Sequence, residues 1–138
     1  MSFAEPRFRL SEHRIDDHTT IVAVRGEIHV STAQEFSRLL AETVDAGRIM
    51  LVLDLSDVEF IDSTGLSVLL NALRRVTRAG GRMALVCTNP TVLRLFEITR
   101  LDTTFEIVSS REEALRAVRG DEGAQGEGRA GGSSDGAP

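Results

Sequence analysis

LVLDLSDVEFIDSTGLSVLLNAL, residues 51–73, decides how this chain folds. A continuous apolar run leads in, a helically spaced apolar run leads out, and Asp62-Ser63-Thr64-Gly65 lies between them. RIMLVLDL (48–55) reads as a strand covered on both faces, with Ser56 to Ile61 as the lead into the junction. From Thr64 onward, Leu66, Leu69, Leu70, Leu73 and Val76 form one helical stripe. Arg74, Arg75 and Arg78 suit its C-terminal half, and Gly80-Gly81 stops it. Asp, Ser and Thr are all good helix N-caps, and Gly relaxes the backbone at the bend. One cap suffices, so three such residues in a row leave at least one hydroxyl to be presented for something else.

Upstream, RFRLSEHRI (7–15) and TTIVAVRGEI (19–28) alternate as strands joined by Asp16-Asp17-His18, the signature of a hairpin. A helix follows, with Ser31 or Thr32 as N-cap, Glu35 in the first turn, Phe36, Leu39, Leu40 and Val44 facing inward, and Gly47 at its end. Downstream, RMALVC (82–87) is a buried strand, and Asn89-Pro90 opens a short helix with Val92, Leu93 and Phe96 inward. TFEIV (104–108) is a last strand. SREEALRAV is a last helix, capped by Ser110, with Ala114, Leu115 and Val118 on one face. The alternation predicts an α/β fold: a mixed, mostly parallel sheet of about five strands with about four helices.

The 138 residues fit one domain, and 41% hydrophobic content supplies a core. The folded body is expected over 1–119. Residues 120–138 hold seven of the 12 glycines and no large apolar residue, the composition of a disordered acidic tail. Four acids against Arg129 give that tail a net charge of −3, so the body carries only about −2 of the total −5. This balance argues against a nucleic-acid partner. No apolar run reaches the ~18–20 residues of a membrane span, and MSFAEPRFRL has no signal-peptide centre. The single Cys87 cannot form an internal disulfide, so a cytoplasmic location is expected.

The catalytic sets fall short. His13, His18 and His29 lack metal-ligand spacing, and no elbow glycine stands two residues before Ser63. There is no Walker loop and no G-x-G-x-x-G. The chain is therefore expected to be a binding protein with no metal and no cofactor. At the junction itself, a helix start favours negative charge by roughly 0.3–1 kcal/mol, so a phosphate on Ser63 is compatible with the fold. Asp62 opposes it, because phosphoserine adds about 1.5–2 negative charges.

VEFIDSTGLSVLLNALRRVTRAGGRMALVCTNPTVLRLFEITRLDTTFEI resembles the core of the STAS domain, the fold of the anti-sigma-factor antagonists. The likeness rests on Asp62-Ser63-Thr64-Gly65-Leu66, the double glycine before the next strand, and the Leu93 to Leu101 segment with its Leu-Phe and Ile-Thr pairs. VRGEIHVSTAQEF (24–36) is similar to the family's Gly-Glu loop into the first helix, and the whole resemblance spans roughly residues 7–118. It implies an antagonist that binds an anti-sigma factor, itself an ATP-dependent serine kinase of the GHKL type, and so frees a sigma factor. The resemblance makes Ser63 the phosphate acceptor, with Thr64 as secondary candidate and a serine phosphatase to reset it; the ATP belongs to the kinase. The implied contact surface comprises Glu27, His29, Ser31, Asp62, Ser63, Thr64, Gly65, Ser67 and Asn71. His29 departs from the family, which often carries an aspartate there for partner recognition near the phosphoserine. The alternative is a STAS scaffold or transport-associated protein that never carries phosphate.

Overall fold

The computed structural model describes residues 8–120. Five strands, β1 (Arg9–Arg14), β2 (Thr19–Ile28), β3 (Met50–Ile61), β4 (Arg82–Val86) and β5 (Glu106–Val108), lie in chain order across one sheet. β1 and β2 are antiparallel and every later pairing is parallel. The helices are α1 (Val30–Asp45), α2 (Ser63–Arg78), α3 (Pro90–Ile98) and α4 (Arg111–Arg119), with a 3-10 turn at Leu101–Thr103. This is the expected mixed sheet of five strands with four helices. The acidic glycine-rich tail falls outside the described residues, except Gly120, which ends α4 in the left-handed conformation.

The period of two in the strands sorts the core into two layers. Val22, Val24, Leu51, Leu53, Leu55, Met83 and Leu85 pack against α1, α2 and α3 on one face. Ile21, Val52, Ala84 and Val86 pack against α4 on the other, where Ala114 and Ala117 let that short helix approach closely. The continuous apolar run of β3 is thus a strand buried on both faces.

Two expectations about boundaries change. β3 does not stop at Leu55 but runs to Ile61, because β2 and β3 slip register between Ala23 and Arg25 and again between Gly26 and Glu27. Each slip accommodates an extra residue in β3, so Ser56, Asp57 and Glu59 stay exposed while Val58 and Ile61 remain in the core. Gly26 sits at the second slip with φ of 98°, a conformation that favours glycine. The second change is the cap of α1. His29, not Ser31 or Thr32, is the N-cap, and Glu35 lies beyond the first turn.

Beneath α4, Asp54 accepts hydrogen bonds from the Ser56 hydroxyl at 2.6 Å and from Arg111 Nε at 2.6 Å. Burial pushes its carboxyl up, but the bonds from Ser56 and Arg111 outweigh this and hold it below its ordinary value. The stability it contributes is therefore complete above the unfolded value of ~3.9 and is lost as pH falls through the lower folded value. Asp54→Asn is expected to cost about 1–3 kcal/mol at neutral pH and to flatten the fall in stability below about pH 4. Urea unfolding between about pH 2 and 7 checks this. Parallel pH profiles for the two proteins would contradict it.

Candidate functional site

β2 and β3 are parallel neighbours, so they end together and both deliver helices at the same end of the sheet. Their last residues, Ile28 and Ile61, are register partners, and the Asp62 N–H donates to the Ile28 carbonyl at 3.1 Å. The N-termini of α1 and α2 consequently lie side by side.

The four residues of the junction divide the work. Asp62 is the N-cap of α2, its Oδ1 accepting the Gly65 N–H at 3.0 Å, and its carbonyl accepts the Leu66 N–H at 2.9 Å. Ser63 takes the first helical position, exposed, and its hydroxyl makes no hydrogen bond among the described residues. Thr64 is half-buried and turns toward α1. Gly65 is buried, and its role is not a relaxed bend. It has no left-handed backbone, and a Cβ there would stand 2.6 Å from Ile61 Cγ1, 2.8 Å from Ile28 Cγ2 and 3.0 Å from the Ile28 carbonyl oxygen. The absent side chain is what lets α2 start directly on the ends of β2 and β3.

The β2–α1 corner is tied as tightly. The Thr32 hydroxyl donates to the Glu27 carbonyl at 2.8 Å and accepts the His29 N–H at 3.0 Å. His29 Nδ1 accepts the Ser31 N–H at 3.2 Å, and Nε2 lies 3.5 Å from Glu27 Oε1. Glu27 and His29 are half-buried and Ser31 is exposed.

Along α2, Ser63, Ser67 and Asn71 recur every four residues as one exposed stripe, and Asn71 Oδ1 accepts from Arg74 at 3.1 Å. The nine residues implied by the sequence therefore gather at one end of the sheet and along one helix face. Gly65 is the exception as a contact, being buried behind the surface. His13 and His18 are not part of it; they sit in β1 and in the β1–β2 turn, at the other end of β2 from His29.

Three further residues border this surface. Val30 is 73% exposed and Phe60 46%, and Arg38 lines a shallow groove of about 430 Å³ between α1 and α2 together with Val30, Thr64 and Val68. Arg38 has no ion-pair partner among the described residues. Val30 was visible as a signal: an apolar residue in the first turn of α1 that falls off the Phe36–Leu40–Val44 stripe. Cys87 is buried in the core, which pushes its thiol up and keeps it apart from this surface. Among the described residues there is no cluster of three or more metal-ligating side chains. No described helix is long and apolar enough to cross a membrane.

A protein of Thermotoga neapolitana named as a candidate anti-sigma factor antagonist is 36% identical over 109 residues, 78% of this chain and 96% of its own. The anti-sigma-F factor antagonist RsfB of Mycobacterium tuberculosis is 31% identical over 108 residues, 77% of this chain and 88% of its own. The crystal structure of an anti-sigma factor antagonist from Mycobacterium paratuberculosis superposes with a TM-score of 0.71 at 31% identity, over 83% of this chain and 95% of that one. The STAS domain profile matches residues 11–114, from β1 into α4, and with the sheet order, the paired helix starts and these relatives it establishes that the chain belongs to the STAS domain family.

Proposed function

We propose that this protein is an anti-sigma factor antagonist working by partner switching in the cytoplasm. Unphosphorylated, it binds a cognate anti-sigma factor that is also a GHKL-type serine kinase, and a sigma factor is released. The kinase phosphorylates Ser63, the complex parts, and a serine phosphatase restores the binding form. The observation that carries this reading is the free, exposed Ser63 hydroxyl, set at the start of α2 between a residue that caps the helix and a glycine that seats it. Nothing in the local packing uses that hydroxyl, so adding a phosphate leaves the fold's own hydrogen bonds in place. The names of the relatives supply the partner class.

The test is phosphate transfer from the cognate kinase with ATP, followed by phosphopeptide mapping. Wild-type protein is expected to take one phosphate on Ser63. Ser63→Ala is expected to take none while still binding the kinase, because Ser63 contributes no hydrogen bond to the fold. Normal phosphorylation of Ser63→Ala would move the site to another hydroxyl, with Thr64 first in line. His29 at the aspartate position favours one alternative, a STAS scaffold that binds without a phosphate cycle. Protein isolated from its own cells would then carry no phosphate under growth or stress.

A further inference from the structure

The groove between α1 and α2, about 430 Å³ in volume, has a mixed lining. Val30, Ala33 and Val68 are its apolar part, and Gln34, Ser37 and Thr64 are polar but uncharged. Arg38 is the one charged residue among them. Helical spacing sets Glu35 one turn before it and Glu42 one turn after it, both within the ordinary reach of an arginine. Arg38 pairs with neither and makes no ion pair among the described residues. The facing helix has no acid to offer, because α2, Ser63–Arg78, contains no Asp or Glu. Farther along the same two helices an acid does stand on α1, and there a cross-helix pair forms, with Arg75 Nη1 3.9 Å from Asp45 Oδ1. The groove therefore carries a cation whose counter-charge neither of its walls supplies. It also carries an exposed apolar lip, since Val30 is 73% exposed and lies off the buried stripe of its own helix.

We infer that this groove recognises the partner kinase by one feature of it, an apolar side chain that packs on Val30 and Val68 with a neighbouring carboxylate that pairs with Arg38. Charge complementarity selects the carboxylate, and the exposed valine selects the apolar neighbour. A protein segment suits the site better than a small molecule, because the groove is shallow and small-molecule sites enclose most of their ligand. Arg38 is well suited to the task, as its planar fork can hold a carboxylate through two hydrogen bonds. Thr64 ties the groove to the switch: it lines the groove and directly follows Ser63. A phosphate on Ser63 thus adds negative charge beside a wall that receives a carboxylate, and the two repel.

The inference rests on the kinase partnership proposed above, so its test has one arm that needs no kinase. Backbone amide resonances are followed by NMR while millimolar acetyl-Leu-Glu-Leu-amide or acetyl-Leu-Lys-Leu-amide is added. The acidic peptide is expected to shift Val30, Thr64 and Val68, the basic one to leave them in place, and Arg38→Gln to abolish the response. Groove amides that ignore the acidic peptide, or answer both peptides alike, would overturn the inference. In the second arm the kinase is titrated calorimetrically. Arg38→Glu is expected to bind about 10- to 100-fold more weakly, with a loss that shrinks in high salt. Arg38→Lys keeps the charge without the fork and is expected to lose only about two- to fivefold. Thermal unfolding of both variants should match wild type, because Arg38 holds no ion pair in the fold. Arg116→Glu makes the same charge change on α4, on the other face of the sheet, and should bind as wild type does. Arg38→Glu within about twofold of wild type, or no weaker than Arg116→Glu, would overturn the inference. Wild-type dimers that Arg38→Glu converts to monomers would give the groove to a second copy and overturn it as well. A kinase that fails to bind even wild-type protein counts against the proposed function, and the peptide arm still decides the groove.

Discussion

Phosphate on Ser63 is expected to weaken binding of the cognate kinase by about three to four decades. A switch that takes a partner from 99:1 bound to 1:99 needs about 10⁴-fold, or 5.5 kcal/mol. The required size decides where Ser63 must sit in the complex. A charge at a wet rim is worth about 0–1 kcal/mol, far too little. A charge of 1.5–2 that must leave water and meet no partner costs several kcal/mol. The geometry favours the second case, because Ser63 begins the exposed Ser63–Ser67–Asn71 stripe and its neighbour Thr64 lines the groove that the exposed Val30 also lines. Ser63→Asp carries one charge on a shorter side chain, so it is expected to weaken binding by only about 10- to 100-fold, or about 1.4–2.7 kcal/mol. Calorimetric titration of wild-type, phosphorylated and Ser63→Asp protein into the kinase measures all three. A loss under about tenfold for the phosphorylated form would place Ser63 at the rim and leave the switch without a mechanism.

The sequence displayed the fold because its signals were redundant. The β3 run is apolar at every position from Met50 to Leu53, as only a doubly covered strand needs, and α2 announces itself by a stripe and a stop. Where the readings missed, a tertiary contact had overruled a local preference. Ser31 and Thr32 are the statistically favoured caps, yet Thr32 is drawn one turn inside because its hydroxyl bridges the Glu27 carbonyl and the His29 N–H. His29 then becomes the cap by default. The polar Ser56-Asp57 pair looked like the end of a strand, and the two register slips that keep those residues exposed within β3 leave no mark on apolar periodicity. The candidate site was legible as chemistry, three small polar residues at a helix start. Its division of labour was not, since only packing shows that Asp62 caps, Gly65 seats and Ser63 is left free.

Gly65→Ala is expected to destabilise the protein by about 1–3 kcal/mol, although the same change in an open helix would stabilise it. Alanine is favoured over glycine in a helix interior by about 1 kcal/mol, chiefly through backbone entropy. Here the added Cβ meets Ile61 Cγ1 at 2.6 Å and Ile28 Cγ2 at 2.8 Å, and neither atom can swing away, since both isoleucines are β-branched and buried. The third neighbour is the Ile28 carbonyl oxygen at 3.0 Å, which is already engaged by the Asp62 N–H. Relieving the contact means lifting the first turn of α2 or pushing β2 from β3, and overpacking of this kind typically costs 1–3 kcal/mol. For a domain of this size the midpoint of thermal unfolding should fall by about 5–15 °C. Either relaxation moves Asp62 and Ser63, so partner binding should weaken as well. Ser67→Ala, one turn along the exposed stripe, separates the two roles: its stability should stay within about 0.5 kcal/mol of wild type while its affinity drops. Thermal unfolding of both variants alongside calorimetric binding reads these effects. A Gly65→Ala protein as stable as wild type would mean that α2 has room to start elsewhere, and the close seating of the helix on Ile28 and Ile61 would no longer explain why position 65 is glycine.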